Sequence, residues 1–140
     1  MDSIAITPDG ANVYIRAYES SAATGFGPTS ISQFARAADG TLSEVSCIAT
    51  HGAGGCAAAP ADWLLGPLAV SPDGADLYSV GYRSIEQLAI EPDGTLSPRG
   101  CIGYNESGPC GGGGPSFAAL VEIAVAPDGQ DSFDPVSPAY

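Results

Sequence analysis

The chain has 140 residues, a length that suits one ordinary domain, and 44% of them are hydrophobic, enough for a packed core. Sixteen Asp and Glu face four Arg and no Lys, a formal net charge of −12 that repels phosphate backbones and anionic lipid, so nucleic acid is not an expected partner. No apolar run approaches the length of a membrane-spanning helix, so membrane insertion is not expected, and the opening "MDSIAITPDG" lacks the basic and apolar segments of a signal peptide.

Taken in chain order, the first element is a strand that ends at Pro8-Asp9-Gly10, and "ANVYIRAY" predicts the second. The insert "ESSAATGFGPTS" comes next. "ISQFAR" then predicts a third strand, a turn at Asp39-Gly40 closes it, and "TLSEVSCI" predicts a fourth. Asp-Gly between alternating runs marks a hairpin, because Gly tolerates the positive φ of a tight turn. The segment "CIATHGAGGC", residues 47–56, ends this unit.

The pattern then repeats. Residues 31–56 align with 85–110 without a gap, and Ile31, Gln33, Ala35, Asp39, Gly40, Thr41, Leu42, Ser43, Cys47, Ile48, Gly54 and Cys56 are identical to the residues 54 positions later. "ITPDGANVYIRAY" from Ile6 matches "VSPDGADLYSVGY" from Val70, offset by 64. The second unit therefore predicts strands at "LAVS", "DLYSVGY", "SIEQLAIE" and "TLSPRGCI". "AVAPDG" at 124–129 opens a third copy, which Asp134 and Pro135 interrupt where a second strand is due, since proline removes a ladder donor.

Four antiparallel strands in a unit of about fifty residues is the signature of a β-propeller blade. The expected fold is all-β, with two four-stranded antiparallel meanders over about residues 4–48 and 68–102 and the first strand of a third blade. The organisation read from the repeats is a first blade with its Cys loop at 1–66, a second blade with its Cys loop at 67–121, and the start of an aborted third blade with an irregular tail at 122–140. Such a ring is incomplete, and further blades or copies of the chain itself are its expected partners.

The ordered strings "LAVSPDGADLYSVGY" and "SIEQLAIEPDGTLS" resemble the YVTN-type repeats of bacterial propellers, and more closely the lactonase-like propeller family. That resemblance implies a closed ring, commonly of seven blades. It also implies lactone hydrolysis as one activity among many members that look like surface or exported propellers. Catalysis in that family is expected at the central opening, where the nearest charged residues here are Asp62, Arg83 and Glu122; they match no catalytic motif.

Both Cys segments link a fourth strand to the next stretch of chain. They lie, with the insert, on the face opposite the Asp-Gly turns, where variable loops collect and a protein or small-molecule ligand is expected. The simplest account pairs Cys47 with Cys56 and Cys101 with Cys110, each disulfide closing a Gly-rich loop, and places the protein outside the cell or on its surface. A four-Cys metal site is the other possibility, though structural zinc sites space paired Cys by two to four residues, not eight. No cofactor or metal is expected. His51 lies in the first loop and its repeat partner is Asn105, so it reads as an exposed loop residue. Asp9, Asp73 and Asp128 read as turn residues rather than calcium ligands, and "CGGGGP" at 110–115 as a link rather than a phosphate loop. The function expected is a non-enzymatic propeller repeat module acting as a binding scaffold, with a lactonase-like hydrolase as the alternative.

Overall fold

A computed structural model describes residues 3–18, 29–60, 66–81, 84–103 and 123–128. These form two antiparallel meanders. The first runs β1 (Ser3–Ile6), β2 (Asn12–Tyr18), β3 (Thr29–Arg36) and β4 (Leu42–Thr50), with β5 (Ala57–Ala59) added at its edge. The second runs β6 (Leu68–Val70), β7 (Asp76–Val80), β8 (Ser84–Ile90) and β9 (Leu96–Gly103), each strand paired with the next. The all-β class and the two four-stranded blades expected from the repeats are both present. Ile123–Ala126 carries no strand assignment and leads into a turn at Pro127 and Asp128.

The hairpins β1–β2, β3–β4, β6–β7 and β8–β9 are each closed by a four-residue turn whose glycine takes the left-handed position, with φ of 71° at Gly10, 88° at Gly40, 74° at Gly74 and 84° at Gly94. The aspartate before each glycine does the rest. Asp9 Oδ1 accepts from the Ala11 amide at 3.0 Å and from the Thr7 hydroxyl at 2.6 Å. Asp73 repeats this with Ala75 and Ser71. Asp39 and Asp93 accept from the amides of Thr41 and Thr95. These bonds favour the ionised side chain, so all four carboxyls are held below the usual aspartate range.

Strand register sets which residues share a face. Ala5, Tyr14, Gln33 and Ser46 form one row across the first sheet. In the second sheet the repeat-equivalent row is Ala69, Tyr78, Gln87 and Gly100. On the opposite face of the second sheet lie Leu68, Ser79, Glu86 and Cys101, beside Val70, Leu77, Leu88 and Pro98. The two sheets meet by packing this last face onto the Tyr14 face of the first. The core is the result: Ala5, Tyr14, Ile31, Ile48 and Ala59 from the first blade against Leu68, Leu77 and Leu88 from the second. Removing these apolar side chains from water stabilises the pair by about 25 cal/mol per Å².

Both fourth strands carry a β-bulge at the same repeat position. Gln33 pairs with Ser46 and Phe34 with Glu44, which leaves Val45 extra. Gln87 pairs with Gly100 and Leu88 with Pro98, which leaves Arg99 extra. The bulged Arg99 reaches Asp76 at 2.7 Å, an ion pair with a half-exposed arginine and therefore of small worth.

Candidate functional site: the Cys loop and the joint between blades

The first Cys loop begins where β4 ends. His51, Gly52, Gly54 and Gly55 all have positive φ, from 57° to 83°, so four of five consecutive residues take the left-handed conformation. A 3-10 turn at Ala53–Gly55 completes the reversal. The chain comes back beside its own strand, and Ile48, Ala49 and Thr50 pair in parallel with Ala57, Ala58 and Ala59. Parallel neighbours ordinarily need a crossover of a dozen or more residues. Here six residues suffice, because the glycines admit the tight path and a disulfide joins Cys47 to Cys56 with their Cα atoms 4.9 Å apart. A side chain at Gly52 would press on the Cys56 carbonyl at 3.3 Å.

Cys101 is also disulfide-bonded and packs against the core. Cys110 lies outside the described residues, as do Asn105, the link at 110–115, and Asp62, Arg83 and Glu122. His51 is exposed at the tip of the first loop. Among the described residues no group of three His, Cys, Asp or Glu is placed to hold a metal ion.

The same edge of the first blade carries a hydroxyl pair, Thr29 Oγ1 and Thr50 Oγ1, 3.0 Å apart and buried. On the second blade Gly66 N–H donates to Ser79 Oγ at 2.9 Å. Any side chain on Gly66 would strike the Val80 carbonyl, so this entry into the blade requires glycine.

Glu86 was not singled out by the sequence, and among the described residues it is the one buried side chain left with an unpaired oxygen. It sits on the face of β8 that packs against the first blade and is fully buried. Its Oε1 accepts from the Ser84 hydroxyl at 2.5 Å, while Oε2 has no hydrogen-bond partner. Burial pushes its carboxyl up to about 7, against the opposing pull of the Ser84 bond. The signal was available in the alternation of "SIEQLAI", which places Glu86 in phase with Leu88. The repeat also sets it against the small Ser32 of the first blade. A single carboxyl of this kind can hold or release a proton near neutrality.

On the opposite face, where the Asp-Gly turns gather, a cleft of about 370 Å³ opens between the blades. Asp9, Asp73 and Glu91 rim it, with Pro8, Asn12 and Ile90 among its other walls. Beside it the blades are bolted together. Tyr14 donates its hydroxyl to the Gly94 carbonyl at 2.7 Å, and Gln33 donates to the Asp93 carbonyl at 3.0 Å and to Asn12 Oδ1 at 2.9 Å. Ser46 donates to Gln33 Oε1 at 2.6 Å, so every polar atom of the buried carboxamide side chain is engaged. Burial and the nearby Asp9 and Asp93 push the Tyr14 phenol up to about 12, so it stays a donor throughout the physiological range.

Fold and joint together define the class: a pair of neighbouring propeller-type blades. Two solved structures share this fold. A protein from Lactobacillus plantarum superposes with a TM-score of 0.52 at 21% identity, over 72% of this chain and 27% of that one. A functionally unknown protein from Desulfotomaculum acetoxidans gives 0.50 at 19% identity, over 72% and 26%. A putative 6-phosphogluconolactonase from Bacteroides uniformis gives 0.46 at 19% identity, over 68% and 24%. The chain thus spans about a quarter of the length of the solved structures it matches. No protein-family model and no curated protein matches it.

Proposed function

We propose that the chain is a non-enzymatic repeat module, a piece of an exported or cell-surface propeller, whose Cys-loop face acts as a binding scaffold. The observation that carries this is the first Cys loop. Its left-handed backbone and disulfide hold a short, small-residue surface in a fixed shape at the edge of a rigid blade. Loops fixed on a rigid scaffold are where binding residues concentrate. A disulfide forms and persists in oxidising compartments, which supports a location outside the cytoplasm. In a longer propeller the second blade would present its own Cys loop, Cys101 to Cys110, on the same face.

The alternative, a lactonase-like hydrolase, draws on the resemblance of the "SPDG" and "DGTL" strings to that propeller family. One experiment separates the two. The chain, oxidised and folded, is incubated with five- and six-membered aldonolactones, and ring opening is tracked by acid release. The scaffold reading expects a rate equal to the buffer blank. Turnover above the blank that depends on the protein overturns it in favour of the hydrolase.

A further inference from the structure

One carboxyl is set inside the seam between the blades. Glu86 projects from β8 in the row Leu68, Ser79, Glu86 and Cys101, which the second blade turns to the first. It is fully buried, and its neighbour in phase, Leu88, belongs to the core that both blades share. The repeat-equivalent on the first blade is Ser32, which is half-buried. The carboxyl is therefore peculiar to this seam and not part of the blade pattern.

The donors around Glu86 fall short of what an anion needs. An ionised carboxylate can accept about four hydrogen bonds. Here Oε1 takes the Ser84 hydroxyl, and Oε2 has no partner. The Gly81 amide, which lies close by, already donates to the Ser84 carbonyl at 2.7 Å. Burying a charge with so little compensation is costly.

Few titratable side chains face this carboxyl. On its own blade, β6 and β7 turn no ionisable side chain to the seam, β9 turns Cys101, which is disulfide-bonded, and the bulged Arg99 reaches Asp76 instead. On the first blade, β1, β3, β4 and β5 turn none to the seam, and β2 turns Tyr14, Arg16 and Tyr18. Tyr14 is held by the Gly94 carbonyl, and the Arg16 guanidinium lies 5.7 Å from the centre of the Tyr18 ring. A cation paired with Glu86 would lower its pKa, whereas burial raises it to about 7.

We propose that Glu86 makes the seam a pH-sensitive latch, closed while the carboxyl keeps its proton and opened locally, blade from blade, when that proton passes to water. Opening lets the carboxylate hydrate and uncovers Leu68, Leu77 and Leu88, while the ladders of both sheets stay formed. The closed seam holds the proton more tightly than water-exposed Glu86 does, so ionisation favours opening. The seam is tightest below the ordinary value of 4.5, loosens as pH rises through about 7, and is level above that. Between about pH 5 and about pH 8 the open fraction rises on the order of fiftyfold. The latch lies wholly between the two blades of this chain and does not depend on the scaffold reading.

Amide hydrogen exchange on the oxidised 140-residue chain tests this, with each rate corrected for that of an unprotected amide at the same pH. The reporter is the Leu68 N–H, which crosses the seam to Ser3 Oγ at 3.0 Å. It should exchange sooner than the slowest amides of either sheet and respond less to low denaturant, the mark of a local opening. Its protection should fall about fiftyfold from about pH 5 to about pH 8. In Glu86→Gln and in Glu86→Leu that protection should stay constant over the same range. Two variants are used in case one does not fold, and the wild-type measurements decide if neither does. Three results overturn the proposal: a wild-type Leu68 protection that is constant with pH, a Leu68 amide that exchanges only with the slowest amides and with their denaturant response, or a folded variant that keeps the wild-type pH response.

Discussion

The Tyr14 hydroxyl and the Gly94 carbonyl meet at 2.7 Å across 80 residues of sequence, and this contact ties one blade to the next. Both partners are shielded from water. Tyr14→Phe therefore removes a donor and leaves a buried acceptor unmet, which costs about 1–3 kcal/mol. Denaturant unfolding should show a lower midpoint with an unchanged slope.

The two glycines at Gly40 and Gly94 offer an internal control. Their φ values nearly coincide, at 88° and 84°, so alanine is strained at either position. That strain alone is worth roughly 1–2 kcal/mol. Only at Gly94 does the added methyl group also displace Gln33 and Asn12. In the monomeric state, Gly94→Ala should destabilise clearly more than Gly40→Ala in parallel thermal melts. Equal losses would mean that the joint contributes little.

Glu86 gives the stability a descending limb. Its folded-state pKa of about 7 lies above the ordinary value of 4.5, so the folded chain holds this proton more tightly. Stability contributed by the neutral carboxyl is full below the ordinary value, falls as pH rises through about 7, and is flat above that. At about 1.4 kcal/mol per unit, the loss is on the order of 3 kcal/mol. Glu86→Gln should flatten the limb and raise stability in mildly alkaline buffer. A variant with the wild-type pH profile would sink this assignment.

Asp9, Asp39, Asp73 and Asp93 act in the opposite sense. Their carboxyls are held low by turn hydrogen bonds, so their contribution is present above the ordinary aspartate value and is lost as pH falls through the folded-state values. The stability profile should therefore rise out of acid and decline towards neutrality, and Asp93→Asn should shift only the acid limb.

Reducing the Cys47–Cys56 bond releases a loop closed over a separation of nine residues. The chain-entropy relation gives roughly 2.5–3 kcal/mol for a loop of this size. Cys47→Ser with Cys56→Ser should lower stability by that order and expose the amides of Ala57–Ala59 to hydrogen exchange, because the disulfide tethers the parallel pairing at that end.

The eight meander strands and their turns were legible because alternation and "PDG" punctuation are local signals, and because the sequence states them twice. The fifth strand was not. Ala57–Ala59 has no alternation to display, and its pairing arises from the backbone path through His51 and the glycines rather than from its own residues. The bulges at Val45 and Arg99 were hidden for a similar reason: one extra residue becomes visible only when the partner strand is in register. The repeat marked Tyr14 and Gln33 as shared by both units without revealing their task, since their partners lie 80 and 60 residues away. Glu86 stood in an apolar phase, and a pattern search for carboxylate clusters passes over a solitary one.

Tyr14 and Gln33 take hold of main-chain oxygens in the neighbouring blade, not side chains. What they ask of a neighbour is only a turn of the right shape with glycine at its corner. Any unit bearing that turn meets the requirement, whatever residues decorate its strands. Unequal recombination within such a gene can then add, drop or exchange units and keep these hydrogen bonds across the seam, provided the apolar face beneath the turn travels with it.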